Sequence, residues 1–594
     1  EKVDWHTNFR SLNNAFVEWN IIKGLKFKSS FGIDIDYATN KSYNPRSVYS
    51  GSQKNGEAKK ISNNTYTWIN ENILTYTNTW GVHSFTGMVG YTQQQSAYDG
   101  FNAGSYGFLN DNLQMNNLGS GTTYTAPGSE VKKWALNSYL ARVNYTVNNK
   151  YLLTASIRAD GSSRFGSDNR WGYFPSAALA WRASEESFIK DLNIFSNLKP
   201  RVSFGITGNQ DGIGTYPAYA LLGSNGYVAG GDKVTGYYPS QVANTNLKWE
   251  TTAQFDAGID FGFFNNRLTV VIDGYYKKTR DLLLKVKVPG SSGFSSGLKN
   301  IGEVENKGFE LAINATPIEG DFTWNTSLNL TYNKNKVLDL GDVSFIYPSQ
   351  PGQDETGIHL GRIIQVGQPL GTFYGYVYDG LFSTTDDIAS SAQPTAKPGD
   401  IRYKDISGPD GVPDGVINDL DRTIIGCAQP KLFGGFNNTF SYKNFDLNVN
   451  TIFTIGNDVY NGTRVTMENM QGSTNMFAST MNYWTPDNQN APLPRPLRSK
   501  AVMRVSNQYV ENGSYLRFQN ITLGYNVPTE FLSFTKYVSG LRVYASLQNF
   551  ITITSYSGDN PEVSKYGQDN LGAGYDAFSY PFAKSVLFGL NVKF

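Results

Sequence analysis

The segment with the most obvious chemistry is an acidic, glycine-containing stretch, Asp405–Asp421, which reads DISGPDGVPDGVINDLD. Four of its oxygen-bearing side chains fall at positions 1, 5, 9 and 12 of a twelve-residue loop, with Gly415 at position 6. This spacing is typical of an EF-hand calcium loop, although position 3 is Val412 and position 12 lacks the longer glutamate. The sequence therefore predicts a calcium site, and an acidic loop without metal is the alternative. The candidate ligands are Asp410, Asp414, Asn418 and Asp421.

Little in the chain points to catalysis or to a catalytic cofactor. Cys427 is the only cysteine, and the three histidines lie far from it and from one another in sequence. The glycine- and serine-rich segment Pro289–Asn300 lacks the Gly-Lys-Ser/Thr ending of a phosphate-binding loop. A net charge of +1 gives no electrostatic footprint for nucleic acid. We therefore expect neither an enzyme nor a nucleic-acid-binding protein.

Aromatic side chains in glycine- and asparagine-rich segments form a second class of candidate site residues. Phe, Trp and Tyr make up 14% of the chain. Flat rings stack on the apolar face of a sugar, and they also act as anchors at protein interfaces. Packing of one loop on another would use the same residues. The positions that we single out for contact with cargo or a partner are Tyr237, Tyr238 and Trp484.

The segments that must position these residues alternate between apolar and polar side chains. In Val586–Phe594 every even position is apolar, and the same period of two runs through Phe322–Tyr332, Asn444–Phe453 and Leu541–Ile553. A period of two predicts strands that have one apolar face. That face meets a second sheet in a soluble sandwich and lipid in a membrane barrel, so alternation alone leaves both folds open.

The lengths of the strands and of their connections favour the barrel. The alternating segments often run 10 to 16 residues, which is longer than most soluble strands. Short turns, as at Asn148–Lys150 and Lys443–Asn444, alternate with long connections, a pattern typical of outer-membrane barrels. The long connections lie near residues 98–130, 210–246, 285–300, 338–430, 456–510 and 555–580. We predict an all-β fold, a transmembrane antiparallel β-barrel, with roughly 17 strands in this chain.

Local structure is predicted at three further segments. Phe322–Tyr332 and Asn444–Phe453 are predicted to be neighbour-paired spanning strands whose apolar faces lie in lipid. Ser184–Leu192 is predicted to be a short loop helix, with Ser184 as its N-cap and acidic residues in its first turn.

Several blocks of sequence carry a resemblance to a known family. They are Tyr151–Gly166 (YLLTASIRADGSSRFG), Trp171–Glu186 (WGYFPSAALAWRASEE), Leu198–Gln210 (LKPRVSFGITGNQ), Leu247–Leu283, Asn300–Leu311 (NIGEVENKGFEL), Pro398–Ile406 (PGDIRYKDI), Asp421–Gly426 (DRTIIG), Arg517–Pro528 (RFQNITLGYNVP) and Ser546–Phe550 (SLQNF). In this order they resemble the SusC-like (SusC/RagA) TonB-dependent transporters of Bacteroidetes outer membranes. Much of what they encode is turns and interface aromatics, so we interpret them as barrel scaffold.

The resemblance also implies what precedes such a barrel. Members of the family carry a signal peptide, an extension domain, a TonB box and a plug domain before a barrel of about 22 strands. None of the four elements that precede the barrel is recognisable here. We therefore expect residues 1–594 to be a partial barrel domain that lacks the plug and the first strands. An incomplete barrel has open edges that lipid cannot satisfy, so we expect it not to close unaided.

As function, the resemblance implies TonB-dependent import of oligosaccharides or other nutrients across a Gram-negative outer membrane. The implied partners are a SusD-like lipoprotein over the outer mouth, the TonB complex through the missing amino-terminal region, membrane lipid, and a dimeric SusC2SusD2-type assembly. A siderophore- or cobalamin-type receptor and a passive porin or adhesin barrel are the alternatives. Glycan and peptide cargo both stay open, because loops choose the cargo on a shared scaffold.

Overall fold

The computed structural model describes residues 2–294, 296–348, 361–471, 475–497, 504–532, 537–565, 567 and 571–594. Strands dominate, and the chain divides into two compact units. Within the described ranges, no helix is both long enough and apolar enough to cross a membrane.

The first unit comprises Glu1–Trp181, Arg201–Gln254 and Thr279–Ile301. Its long strands pair antiparallel, each with the next in sequence, so a turn is enough to join them. They are β1 (Val3–Ile22), β2 (Leu25–Asn44), β3 (Glu57–Trp80), β4 (His83–Phe108), β5 (Gly121–Val147), β6 (Tyr151–Ser162), β7 (Trp171–Trp181) and β8 (Phe195–Asn209), the last of which enters this unit at Arg201.

The first five strands of the first unit are longer than the sequence predicts. β4 has 26 residues and β5 has 27, and Tyr106 still lies opposite Thr123 near their ends. The predicted connection near residues 98–130 is therefore wrong over most of its length, and residues 109–120 alone join the two strands. Its glycine and asparagine content suggested a loop, but its threonine and tyrosine side chains favour strands and find cross-strand partners.

The second unit comprises Arg182–Pro200, Phe255–Lys278 and Gly302–Phe594. From β11 onward, each long strand again pairs antiparallel with the next. The strands are β9 (Glu250–Phe263, in this unit from Phe255), β10 (Leu268–Arg280, up to Lys278), β11 (Glu303–Ile318), β12 (Phe322–Asp339), β13 (Leu432–Tyr442), β14 (Phe445–Ile455), β15 (Tyr515–Val527), β16 (Gly540–Thr554) and β17 (Ser585–Lys593). The large sheet has 17 strands, in agreement with the predicted number.

The two segments predicted as spanning strands fall in β12 and β14. Each pairs with its neighbour in sequence, β13, which lies between them. Leu328 of β12 lies opposite Phe436 of β13, and Phe436 lies opposite Thr451 of β14. The period of two thus fixed the faces of these strands, whereas their order follows from the pairing.

The long connections contain short strands of their own. In the first unit, Leu221–Ala229 pairs with Asp232–Gln241, and Leu283–Lys287 pairs with Ser296–Asn300. The short strands of the second unit are Phe345–Ile346, Arg362–Gln365, Thr372–Gly375, Tyr378–Leu381, Ile401–Tyr403, Thr423–Cys427, Asp458–Asn461, Val510–Asn512 and Tyr575–Asp576. Parts of the predicted connections, residues 295, 349–360, 472–474, 498–503, 566 and 568–570, lie outside the described residues.

Helices are few and short in the described residues, as predicted. The α-helices are Tyr49–Ser52, Ser187–Lys190 and Gly462–Met467. Single 3-10 turns are Gln114–Asn116, Leu118–Ser120, Ser167–Asn169, Ala183–Glu185, Gly290–Ser292, Asp419–Asp421, Ala478–Met481, Asn507–Tyr509 and Thr529–Leu532.

The helix predicted at Ser184–Leu192 is shorter than expected, and its predicted N-cap is wrong. Ser184 lies inside a 3-10 turn, which closes when the Glu186 N–H donates to the Ala183 carbonyl over 3.0 Å. The α-helix begins only after this turn, with Glu186 at the N-cap position. The tight turns are confirmed: Asn148 and Asn149 have φ values of 52° and 56°, in the left-handed region that asparagine tolerates.

The loops of the second unit pack into a core of their own. Its buried residues come from several connections, and the aromatic side chains among them belong to separate short strands and turns. They are Phe373, Ala428, Tyr460, Val465, Val505, Tyr509 and Tyr575. The loop residues of this unit are therefore held by tertiary packing rather than standing free in water.

Candidate functional site

The polar face of β12–β16 carries two rows of uncharged hydrogen-bonding side chains. Cross-strand register places the members of each row directly opposite one another. One row contains Ser327, Asn437, Asn450, Asn520 and Gln548. The other row contains Asn325, Thr439, Asn448, Thr522 and Ser546. We name these two rows together the amide wall.

Hydrogen bonds within the amide wall fix the orientation of its side chains. The Nδ2 of Asn448 donates to the Oδ1 of Asn437 over 3.2 Å and to the Oγ1 of Thr439 over 2.9 Å. The Oδ1 of Asn520 accepts from the hydroxyls of Thr522 and Ser546, both over 2.7 Å. A side-chain amide has two donor hydrogens and two acceptor lone pairs, so each oriented amide keeps bonding capacity for a ligand.

Charged residues on this face lie toward its two ends and are paired. At one end, the Nε of Arg542 donates to the Oδ1 of Asp446 over 2.9 Å. Gly524 lies between them, and a Cβ at that position would sit 2.4 Å from the Arg542 guanidinium. At the other end, the buried guanidinium of Arg517 pairs with Glu562. The middle of the face therefore presents hydrogen-bonding groups without net charge.

Phe433 interrupts the polar face of β13 with an exposed ring. Its register partners are Thr331 and Thr454, and 39% of its surface is exposed. A cavity of about 430 Å³ lies beside it. Among the residues that line the cavity are Ser327, Asn329, Phe433, Asn437 and Asn450. A flat ring next to oriented amides matches the chemistry of a sugar, which has an apolar face and a rim of hydroxyls.

Sequence reasoning missed both the amide wall and Phe433. Phe433 was detectable, because it occupies a position of an alternating segment where the period of two predicts a polar side chain. The amide wall was not, since it becomes a continuous surface only when the register of five strands is known.

Tyr237 and Tyr238 lie on the hairpin Leu221–Ala229 and Asp232–Gln241 of the first unit. Their exposed fractions are 75% and 50%. Tyr238 lies across its register partner Gly223, where a Cβ would sit 2.7 Å from the ring. Both rings thus have surface for contact with cargo or a partner, and that role stays a prediction.

Trp484, in the second unit, is buried, with 6% of its surface exposed. Its ring covers Gly399, where a Cβ would lie 2.5 Å away, and the neighbouring Arg495 donates to Asp400 over 2.7 Å. The sequence could not reveal the contact between Trp484 and Gly399, because these two residues lie far apart along the chain. A role in binding cargo or a partner would require this cluster to open.

The acidic loop Asp405–Asp421 is organised by its last residue. Asp421 is fully buried, and its Oδ1 accepts the N–H groups of Ile406 and Ser407 over 2.8 and 3.3 Å. Its Oδ2 accepts the N–H of Asn418 over 2.7 Å. Burial alone would raise the pKa of Asp421, but these backbone donors favour the charged form and lower the pKa below its ordinary value.

Calcium in this loop stays a prediction. Asp405 accepts the N–H groups of Asp414 and Gly415, Asp410 is exposed, and the described residues contain no group of three acidic, histidine or cysteine side chains arranged to hold a metal. If calcium binds, a high-resolution map of crystals grown with calcium will contain an ion within about 2.6 Å of the candidate oxygens. A map without such an ion would contradict the site, and Asp410→Ala should weaken calcium binding if it exists.

The chain is similar in sequence to known proteins. Residues 2–550 match the family described as "TonB dependent receptor-like, beta-barrel". The chain is 38% identical over 98% of its length to the TonB-dependent receptor P3 of Formosa agariphila, of which it covers 58%. It is 34% identical over 90% of its length to the TonB-dependent receptor SusC of Bacteroides thetaiotaomicron, of which it covers 52%.

A solved structure agrees with these sequence matches. A chain of the structure described as the RagAB peptide transporter superposes with a TM-score of 0.84 at 27% identity, over 100% of this chain and 62% of that one. The predicted barrel fold and the resemblance to SusC-like transporters are thereby confirmed. The chain spans between half and two thirds of the length of these relatives.

Proposed function

Because the chain belongs to the TonB-dependent receptor-like β-barrel family, we propose that it forms barrel wall of a SusC/RagA-type importer in the outer membrane of a Gram-negative bacterium. The cargo is a neutral oligosaccharide, which crosses without chemical change. A SusD-like lipoprotein delivers the cargo at the outer mouth, and the TonB complex supplies the energy. The importer works as an assembly of two transporter–lipoprotein pairs.

The amide wall is the observation that carries this proposal. A sugar exchanges its hydrogen bonds to water for bonds to amides and hydroxyls, and oriented partners make that exchange favourable. The rows contain no charged residue, so the wall loses no ionic hydration when a neutral cargo binds to it. An anionic siderophore would gain more from a cationic wall, so this surface supports an oligosaccharide over the siderophore alternative.

A peptide is the second candidate cargo. The likeness to the structure described as a peptide transporter supports it, and amide side chains pair with peptide bonds as readily as with hydroxyls. Phe433 favours the oligosaccharide, because its ring is exposed beside the amides as a stacking surface.

The exposed Tyr237 and Tyr238 support contact with the lipoprotein partner. Tyrosines on a hairpin bring large, rigid contact area with a polar tip, as protein interfaces use. Purification of the full-length protein from native membranes in mild detergent should bring down one abundant lipoprotein. A transporter that purifies alone and still imports its cargo would contradict the partnership, and uptake that persists without proton-motive force would favour a passive porin.

The cargo proposal predicts a specific effect of Phe433→Ala. Loss of the stacking ring should weaken binding of a neutral oligosaccharide to the purified complex by about 1 kcal/mol, or roughly fivefold. Titration calorimetry with neutral oligosaccharides and with peptides measures this effect. Phe445→Ala is the matched control, because Phe445 is an exposed ring on the apolar face of the neighbouring strand β14 and is not among the residues that line the cavity. Equal binding by both variants would contradict the site.

A further inference from the structure

Two lysines lie directly opposite each other on the apolar face of β11 and β12. Lys307 and Lys334 are register partners, and the next pair on the same face is Phe309 with Tyr332. Like charges that face each other across a ladder are destabilising unless something of opposite charge lies between or beside them. A bound anion would therefore stabilise the pair.

The neighbouring acidic side chains compensate only part of this charge. The Nζ of Lys307 lies 3.5 Å from the Oε1 of Glu305, which is the register partner of Lys336. Among the described residues, neither Lys334 nor Lys336 has a carboxylate within ion-pair distance. The ammonium groups of Lys334 and Lys336, near the end of β12, therefore have no bound counter-charge from the described part of the chain.

A cavity of about 960 Å³ adjoins Lys334 and Lys336. Its lining includes Lys334, Lys336, Lys431, Tyr332 and several side-chain amides. Asp458 is the acidic residue among the lining residues, and one of its carboxylate oxygens accepts the Cys427 N–H over 2.8 Å. Burial raises the pKa of Asp458, which reduces the negative charge that it offers to the lysines. Cations therefore outnumber anions around this cavity.

We propose that Lys307, Lys334 and Lys336 form a binding site for the phosphate groups of a lipid headgroup. The inference rests on the proposed insertion of the chain in an outer membrane. On this face the aliphatic residues Leu328 and Leu330 lead to the aromatic Tyr332, and the lysines follow it toward the end of the strand. Aromatic rings mark the membrane interface, and lysine side chains extend from there to the headgroups. Phosphate is the anion present at that height, and lipid A carries it as a monoester.

Native mass spectrometry of the full-length transporter with its partner provides the test. The complex is reconstituted in vesicles that contain diphosphoryl lipid A in phosphatidylethanolamine, released, and examined for retained lipid A. The double substitution Lys307→Gln and Lys334→Gln should lower retention roughly tenfold. The control, Lys23→Gln with Lys443→Gln, removes equal charge from two exposed turns and should leave retention unchanged. Equal retention by the two double variants would overturn the proposal.

Two further measurements distinguish a bound lipid from a purely structural role of the lysines and from a site for free phosphate. In phosphatidylcholine vesicles, the K307Q/K334Q variant should be at least as heat-stable as the parent, since a like-charge pair is gone; in lipid A vesicles the parent should be the more stable. A stability difference that is the same in both vesicles would mean a structural role only and would overturn the proposal. Inorganic phosphate that displaces lipid A at millimolar concentration would make this a free-phosphate site instead.

Failure of the lipid site can be told apart from failure of the proposed function. Heat-modifiable mobility reports a folded barrel, and oligosaccharide uptake reports transport, and neither depends on retained lipid A. A variant that folds and transports but retains lipid A unchanged removes this inference alone.

Discussion

Replacing Leu328 by arginine is expected to lower the free energy of unfolding by about 2–4 kcal/mol if the residue lies near the bilayer midplane. Leu328 occupies the apolar face of β12, opposite Ile313 of β11 and Phe436 of β13. Both register partners are apolar, so a guanidinium placed there finds no counter-charge across the ladder. Taking an ion into hydrocarbon without a partner is the physical source of the cost.

Urea-induced unfolding of the full-length protein in lipid vesicles measures this effect. Ser327→Arg is the matched control, because it introduces the same side chain one residue away on the polar face, opposite Asn314 and Asn437. The control should cost much less, since its guanidinium can reach water and amide oxygens. Equal losses from the two variants, or labelling of Leu328→Cys by a water-soluble reagent in intact membranes, would contradict a lipid-facing position.

The predictions that held are those that depend on local geometry. Successive side chains of a strand point to opposite faces whatever its neighbours are, so Phe322–Tyr332 could be assigned a strand and an apolar face from sequence alone. Asparagine tolerates a positive φ by its own chemistry, and so the turn at Asn148–Lys150 was equally accessible.

The features that the sequence could not predict depend on partners distant in sequence. Residues 98–108 and 121–130 have a loop-like composition, and only their pairing across β4 and β5 makes them strand. The packing of Trp484 over Gly399 could not be read from the sequence either, and the role of Trp484 in contact with cargo or a partner stays a prediction. The amide wall belongs to the same class, because each amide is unremarkable until register aligns it with the next.

Replacing Asp421 by alanine is expected to release the acidic loop. The substitution removes the acceptor of three part-buried backbone N–H groups, at Ile406, Ser407 and Asn418, which surround the fully buried carboxylate. A donor that loses its partner away from water costs about 1–3 kcal/mol, and part-buried donors lie at the low end of this range, so the local loss should be roughly 3 kcal/mol. Hydrogen exchange of the full-length protein should become faster across residues 405–421 than in the parent.

The matched control is Asp410→Ala, which removes the same charge from an exposed position of the same loop. With a calcium chelator present throughout, so that the candidate ligand role of Asp410 is not involved, this variant should leave exchange across the loop close to that of the parent. Asp421→Asn tests the acceptor role more finely, because an amide keeps the size of the carboxylate but turns one acceptor into a donor that faces backbone N–H groups. Unchanged exchange in both Asp421 variants would contradict the role assigned to its carboxylate.

The pH dependence of the loop should carry the sign of a lowered carboxyl pKa. The pKa of Asp421 lies below its ordinary value in the folded protein, because the backbone donors outweigh the effect of burial. Such a group contributes stability that is fully present above the unfolded pKa of about 3.9 and is lost as the pH falls through the lower folded value. The difference in loop protection between the parent and Asp421→Ala should therefore be constant above about pH 5 and shrink only below about pH 4. A difference that instead disappeared near neutral pH, or on addition of a calcium chelator, would assign the stability of the loop to a bound cation and not to the carboxylate–backbone bonds.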